Sequence, residues 1–303
     1  MSELMRPIEF DKLVKWSFKE YDNHGSIFGI KKEKFYRNKS GTNIEIFGDS
    51  ISSPVGPAAG PNAQLSQNII ASYLAGSRFV ELKTVQKMDG EDLRKCIARP
   101  CINAEDEGYN VEWSTELTVE EAFDEYIKGY IAIHILAKEL EISDEPDFLF
   151  SMSVGYDLEG IKTDKINNYI EGMKDASNTE IWKKCIAWTK ENLSQFKRFK
   201  EEDIKKINPR VCSTICLSTL HGCPPAEIER IARYLISEKK LNTYIKCNPT
   251  LLGYEFARKI LDKMGYGYIA FDDYHFKNDL QWSDAVLMIN RLIEFAKENE
   301  KGF

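Results

Sequence analysis

Several patterns that would assign a protein class at once are missing from this 303-residue sequence. No stretch of about 18 residues is uniformly apolar, so we expect no membrane span. The N-terminal region lacks the apolar core of a secretion signal, so we expect a cytoplasmic protein. Basic residues are not in excess either: the formal net charge is −7, which argues against general nucleic-acid binding.

The seven cysteines include no pair with the two-residue spacing typical of zinc ribbons and ferredoxin clusters. Their odd number, in a long sequence of cytoplasmic type, indicates free thiols rather than a disulfide framework. Cys212 and Cys216 lie in an apolar run typical of a strand, so we expect both on one buried face. We therefore expect neither a zinc site nor an iron–sulfur cluster inside this chain.

Apolar runs of strand length alternate with segments of helical periodicity through most of the chain. The first predicted strand ends near residue 60, and the other five cover 78–84, 148–154, 211–217, 243–247 and 266–271. The helices that follow them cover 64–75, 118–140, 163–175, 225–238, 252–264 and 282–298. Such alternation predicts an α/β protein whose parallel sheet is covered by helices.

Two architectures fit this alternation, an open doubly wound sheet and a (β/α)₈ barrel. The glycine-rich dinucleotide fingerprint G-x-G-x-x-G is absent, which favours the barrel. Because six strand–helix units are predicted, the sequence indicates a TIM-type barrel truncated to about six of its eight units. We assign residues 1–50 to an N-terminal cap of a helix and a short strand. Residues 51–303 form the partial barrel, with inserted segments near 86–116 and 177–200.

In parallel α/β folds, functional groups gather at the carboxyl ends of the strands. The first predicted strand ends in residues 53–60, which carry almost no side-chain bulk, so their backbone could approach a flat or charged group. Lys83 and Lys246 end the second and fifth predicted strands. Two lysines that face one cavity would repel each other unless an electron-rich group lay between them.

Cys223 stands just before a predicted helix, whose N-terminus should lower the pKa of the thiol. Ordinary structural explanations exist for all of these features: a tight turn, lysines that reach the rim, and a packing cysteine. Asp272, Asp273 and His275 follow the sixth predicted strand and allow a third interpretation, a metal-dependent barrel of aldolase type.

These segments resemble the FMN-binding barrels of dihydroorotate dehydrogenases and of dihydropyrimidine dehydrogenase. Residues 53–60 are similar to the first strand of that family, and Lys83 and Lys246 match its flavin-contacting lysines. Residues 222–224 are similar to the segment that carries its acid–base cysteine, and residues 110–114 resemble the loop whose asparagine contacts the pyrimidine.

Essentially the whole chain is also similar to the N-terminal region of the selenate reductase iron–sulfur subunit family. Residues 5–8, 25–30, 220–225 and 248–254 carry this likeness. It implies an FMN-dependent oxidoreductase domain within a larger protein, with iron–sulfur clusters and NAD(P)H or FAD in other modules. Its partners would be those modules or separate redox subunits, together with a small-molecule substrate, and an open partial barrel could also self-associate.

The resemblance implies a role for each matching residue. FMN would be held by Ala58, Ala59, Gly60, Lys83, Thr84 and Lys246, the substrate would be oriented by Asn110 and Thr115, and a proton would be exchanged by Cys223.

The match departs from the family pattern at two places. Residues 219–221 stand where the dehydrogenases have an asparagine, and Asp272 and Asp273 replace an asparagine and a threonine. The glycine-rich turns that bind the FMN phosphate in the family are missing. The altered asparagine positions favour an alternative, a non-catalytic barrel scaffold that has lost its flavin and docks electron-transfer partners, whereas the retained pair of Lys83 and Lys246 disfavours it.

Overall fold

The computed structural model describes residues 5–96, 117–144, 147–219 and 222–303. These residues form two compact units, which we describe separately. The first unit comprises the described residues of Met1–Ser153 and Thr163–Ser213, and the second comprises those of Val154–Lys162 and Thr214–Phe303. None of the described helices is both long enough and apolar enough to cross a membrane.

Helices and short strands follow one another along the described chain. The helices are α1 (Phe10–His24), α2 (Ser66–Ala75), α3 (Gly90–Cys96), α4 (Val119–Glu139), α5 (Leu158–Ile161), α6 (Asp164–Lys174), α7 (Glu180–Glu191), α8 (Glu201–Lys206), α9 (Pro225–Ser237), α10 (Tyr254–Lys263), α11 (Tyr274–Asn278) and α12 (Trp282–Glu298). The strands are β1 (Ser26–Ile27), β2 (Ile30–Lys31), β3 (Ile44–Ile46), β4 (Asp49–Ile51), β5 (Phe79–Glu81), β6 (Leu149–Gly155), β7 (Thr214–Ser218) and β8 (Asn242–Lys246).

Parallel pairing organises the strands that carry the predicted site. In the first unit β5 pairs with β6, and the bonds continue past β5, from Leu82 N to Ser151 O (3.0 Å) and from Val85 N to Ser153 O (2.9 Å). Every residue of β6 is buried, as expected for a parallel strand covered on both faces.

In the second unit β7 and β8 pair in parallel along their whole length, from Thr214 opposite Asn242 to Ser218 opposite Lys246. Both strands therefore end at the same level, and the loops that follow them start side by side. The parallel arrangement predicted from the sequence is confirmed in each unit.

The first predicted strand is not a regular strand. Residues 53–57 run beside β5, where Val55 O accepts a hydrogen bond from Arg78 N (2.9 Å) and Pro57 O accepts one from Glu81 N (3.2 Å). Pro57 and the other proline of this segment have no N–H to donate in return. The segment thus supplies acceptors to its neighbour without completing a strand ladder.

The prediction of a sixth strand over residues 266–271 is wrong, because this segment has no strand structure. Its carbonyls serve a side chain instead, because the Arg258 guanidinium of α10 donates to Ile269 O (2.6 Å) and Tyr266 O (3.0 Å). Tyr268 in the same segment is 80% exposed, so the apolar pattern that predicted a buried strand belongs to a surface segment.

A buried ion pair fixes α2 against α4 in the first unit. Glu125 is fully buried on α4 and accepts hydrogen bonds from Ser66 N and Ser66 Oγ, both 2.7 Å, at the start of α2. Lys128, one turn further on, forms an ion pair with Glu125 and donates to Ile8 O (2.7 Å). The carboxylate therefore satisfies an N–H at a helix start that has no capping side chain of its own.

Replacing Glu125 with glutamine should destabilise the protein by about 3 kcal/mol, because Lys128 would keep a buried positive charge without its counter-ion. Urea unfolding at pH 7 measures the change. Asp11→Asn is the matched control, since the exposed Asp11–Lys15 pair should contribute less than about 1 kcal/mol. Equal effects of the two substitutions would contradict the structural role given to Glu125.

His134 is a second polar residue of α4; it is half-buried, and its Nε2 is shielded from solvent. Its ring packs against Tyr130 (4.8 Å between centroids) and Phe148 (5.6 Å), and Nε2 has no hydrogen-bond partner within the described part of the chain. Burial lowers the pKa of His134 to about 3, so the imidazole stays neutral in the folded protein.

Acidification should therefore weaken the fold through His134. Because the unfolded chain takes up a proton near pH 6.5 and the folded chain does not until about pH 3, stability is lost as the pH falls through this window. Between pH 7 and pH 5 the wild-type protein should lose about 2 kcal/mol more unfolding free energy than His134→Phe. If the unfolding free energies of the wild type and His134→Phe fell in parallel with pH, this explanation would be refuted. The control is His24→Gln, at an exposed histidine, which should follow the wild type.

Candidate functional site

Lys83 lies two residues past the end of β5, and hydrogen bonds fix its main chain in the first unit. Its main-chain N donates to Ala63 O (3.2 Å), and its carbonyl accepts from the Tyr126 hydroxyl (3.0 Å). The side chain is only 7% exposed, and Nζ lies 3.4 Å from Thr84 O. Because its main-chain N and carbonyl are both hydrogen-bonded, the backbone from which the side chain starts is fixed. A charged group in a binding site needs such support.

Hydroxyl groups lie next to this lysine along the chain and across the sheet. Thr84 Oγ1 and Ser153 Oγ are 2.7 Å apart and link the exits of the paired strands, and Ser151 and Ser153 are fully buried. The carboxyl end of this strand pair thus combines one cation with hydroxyls that can donate or accept hydrogen bonds.

The small residues 53–60 have a steric role that the sequence did not reveal. A Cβ on Gly56 would lie 1.5 Å from the Phe79 carbonyl oxygen, so only glycine permits the contact between these two backbones. The Ala59 N–H is already bound by Glu81 Oε2 at 3.0 Å. The assignment of Ala58, Ala59 and Gly60 to a cofactor site stays a prediction.

In the second unit Cys223 lies half-buried between β7 and α9. Partial burial, with the carboxylates of Glu227 and Asp157, raises the pKa of its thiol. The expectation of a lowered pKa was wrong, because burial and these negative charges raise it. A thiol in such a place stays protonated at neutral pH, so it suits a proton donor better than a nucleophile.

Hydrogen bonds fix both carboxylates near this thiol. Glu227 accepts from Leu158 N (3.0 Å) and pairs with Arg230 (2.7 Å), while Asp157 caps α5 by accepting from Gly160 N (2.8 Å). Their charges are therefore a stable part of the surroundings of Cys223.

Lys246, the second predicted flavin lysine, ends β8 with an exposed side chain. Its carbonyl accepts a hydrogen bond from Thr219 Oγ1 (2.9 Å), which ties the end of β7 to the end of β8. The structure thus places Lys246 and Cys223 on neighbouring strand exits of the second unit, while Lys83 and Thr84 belong to the first unit.

Asp279 is a residue that the sequence did not single out. It is 5% exposed and accepts hydrogen bonds from Gly222 N (2.7 Å) and Thr250 Oγ1 (2.6 Å). These partners lie 57 and 29 residues away along the chain, so no local pattern marks this carboxylate. Only the folded second unit reveals that it joins two strand exits.

The remaining candidates either form local contacts or lie outside the described residues. Asn110 and Thr115 lie outside the described residues. Asp273 pairs with Lys277, and Asp272 accepts from Tyr274 N (3.1 Å), so local contacts engage both carboxylates of the metal hypothesis. Within the described residues, no group of three or more histidine, cysteine or acidic side chains could hold a metal ion.

The predicted packing role of the strand cysteines is confirmed. Cys212 and Cys216 are both buried, although β7 begins two residues after Cys212. Burial raises the pKa of the Cys212 thiol well above its ordinary value, so this sulfur is a chemically inert part of the core.

Comparison with known proteins agrees with the fold. Residues 28–303 match the family model described as "Oxidoreductase YgfK, N-terminal TIM-barrel domain". The chain is 45% identical, over 316 aligned residues, to proteins named as the oxidoreductase YgfK in Escherichia coli K12 and in E. coli O157:H7. The alignment covers 100% of this chain but 30% of each relative, so the chain spans about a third of their length.

One solved structure, a ligand-free DHODH from Eimeria tenella, is 10% identical, with a TM-score of 0.40 over 96% of this chain and 80% of that chain. At this similarity the match supports no argument about the present protein. The family match, by contrast, confirms the predicted α/β barrel class, and its description names the full-length protein an oxidoreductase. The chain belongs to the family of N-terminal TIM-barrel domains of the oxidoreductase YgfK.

Proposed function

We propose that this chain is an FMN-dependent oxidoreductase domain of the dihydroorotate and dihydropyrimidine dehydrogenase type. It would belong to a larger iron–sulfur redox protein, as the resemblance to the selenate reductase iron–sulfur subunit family suggests. The observation that carries the proposal is the position of Lys83, a buried ammonium at the carboxyl end of a parallel strand. Strand ends of this kind are where barrel enzymes hold their ligands.

The residues of the first unit fit part of a flavin site. Lys83 offers a positive charge to the edge of the ring that becomes negative on reduction, and Thr84 and Ser153 offer hydroxyls beside it. Ala58 and Gly60 add little bulk, which suits close approach of a planar ring. Bound FMN would supply the acceptance and return of a hydride, a reaction that protein side chains do not provide.

The second unit would handle the proton. We assign to Cys223 the transfer of its proton to a substrate carbon, because its thiol is held in the protonated form. Lys246 is proposed as a further cation for the flavin. Asn110 and Thr115, outside the described residues, are proposed to orient a small-molecule substrate.

Titration of FMN with the protein tests the proposal through quenching of flavin fluorescence. The wild-type chain should bind FMN, and Lys83→Met should weaken binding at least about tenfold, because one charge-assisted hydrogen bond is lost. Lys87→Met, at an exposed lysine four residues away, should bind like the wild type. No quenching by the wild type, or equal affinity of the Lys83 variant, would contradict the proposal.

One observation favours the second candidate, a scaffold that docks electron-transfer modules. Four exposed apolar side chains on and beside α10 stand four residues apart and form one stripe: Leu252, Phe256, Ile260 and Met264 are 54%, 50%, 39% and 63% exposed. A helix with its apolar stripe in water is typical of an interaction surface. We propose that the stripe packs against the part of YgfK-type proteins that follows this domain.

The stripe should also make the isolated chain self-associate, since apolar surface without its partner pairs with itself. Sedimentation velocity should show concentration-dependent association of the wild type, and the double substitution Phe256→Ser and Ile260→Ser should reduce it. Val286→Ser, at a 40% exposed apolar residue of α12, is the control and should leave association unchanged. A wild-type chain that stays monomeric at high concentration would refute the role of the stripe.

A further inference from the structure

The geometry of the second unit points to a positioning role for a residue that makes none of the proposed chemical steps. We propose that Asp279 acts as a clamp: its carboxylate joins Gly222, in the loop after β7, to Thr250, in the loop after β8. In this way it holds the neighbouring Cys223 thiol in the position that proton transfer requires. This inference rests on the proposed role of Cys223 as proton donor.

The two carboxylate oxygens of Asp279 serve different loops. Oδ1 accepts from Gly222 N (2.7 Å), next to Cys223, and Oδ2 accepts from Thr250 Oγ1 (2.6 Å), four residues past β8. The carboxylate is 5% exposed, so water competes little for these bonds. Short hydrogen bonds to a buried carboxylate are among the stronger polar contacts in proteins.

The bond to Gly222 holds the main chain of the residue that directly precedes Cys223. Gly222 has a φ of 76°, a left-handed conformation that favours glycine, while a Cβ there would have no atom within 4 Å. Glycine is thus required by the backbone shape, not by lack of space. That shape presents the N–H to Asp279 and sets the direction in which Cys223 leaves the turn.

The clamp itself is anchored. Asp279 lies in the turn between α11 and α12, where its N–H donates to His275 O (2.9 Å) and its carbonyl accepts from Gln281 Nε2 (2.6 Å). The bond from Thr219 Oγ1 to Lys246 O (2.9 Å) ties the start of the same loop to β8. Thr219 and Gly222, which both lie close to Cys223 along the chain, are therefore each held by a hydrogen bond.

Loss of the clamp should release the thiol to water. Cys223 is half-buried, and burial is the first cause of its raised pKa, ahead of the Glu227 and Asp157 carboxylates. A loop that swings outward would reduce all three effects. The thiol would then react faster with an alkylating reagent, and its reaction would set in at lower pH.

Site-resolved alkylation tests the clamp in the 303-residue chain. Each protein is treated with iodoacetamide between pH 7 and pH 10, and mass spectrometry follows every cysteine peptide separately. In Asp279→Ala the alkylation of Cys223 should be about tenfold faster at pH 7.5, with a lower midpoint pH, because a strong hydrogen bond no longer closes the loop. Thr250→Val removes the short bond to Oδ2 but leaves the longer one from Asn248 Nδ2 (3.5 Å) and the bond from Gly222 N, so it should give a smaller increase.

Buried cysteines distinguish loop release from unfolding. Cys185 and Cys212 are buried, so their alkylation reports a general loss of structure, whereas selective alkylation of Cys223 reports the loop. Asp262→Asn, at a half-exposed carboxylate of α10, is the control and should behave like the wild type. If Asp279→Ala fails to fold, Asp279→Leu, which fills a similar volume and offers no acceptor, provides the same comparison.

Unchanged Cys223 alkylation in a folded Asp279→Ala or Asp279→Leu protein would overturn the clamp. So would faster alkylation of Cys185 and Cys212 in step with Cys223, since that would mean a general structural role. Neither readout requires bound flavin. Failure of the FMN titration would therefore remove the proposed function and leave the alkylation result intact, and the converse result would remove only the clamp.

Discussion

Parallel pairing of neighbouring strands is the constraint on which the other features of both units depend. Because β5 and β6 are parallel neighbours, the residues that follow them along the chain lie side by side. The hydroxyls of Thr84 and Ser153 are therefore 2.7 Å apart, next to the buried Lys83. Because β7 and β8 end at the same level in the second unit, a single hydroxyl, from Thr219, reaches the carbonyl of Lys246. Side chains then need only short links to hold loops that start side by side. The chemistry proposed for each unit is a consequence of this geometry.

The sequence predicted those features that depend on periodicity and missed those that depend on distant contacts. The parallel strands and most helices follow from alternating apolar runs, and the positions of Lys83 and Cys223 follow from the strand ends. The segment 266–271 has the composition of a buried strand, but the Arg258 guanidinium binds two of its carbonyls and residues 266–270 are exposed. Asp279 has no local pattern at all, because its partners come from two other loops.

The environment of Cys223 reverses the pKa shift that the sequence suggested. A helix N-terminus is expected to lower the pKa of a cysteine beside it, yet partial burial and the carboxylates of Glu227 and Asp157 raise the pKa of Cys223. A protonated thiol next to a clamped glycine turn is suited to giving up a proton at one defined place. The exposed stripe on and beside α10 contains no reactive group, and an exposed apolar stripe is typical of a contact surface.

The central claim is that this barrel domain holds FMN, and the flavin content of the purified chain tests it most directly. The chain would be produced in riboflavin-replete cells, purified, and denatured in acid, and the released flavin would be identified by mass spectrometry. The account predicts FMN in an amount that approaches one molecule per chain, and less of it in Lys83→Met. A folded wild-type chain that releases no flavin would contradict the account and leave the docking scaffold as the better explanation.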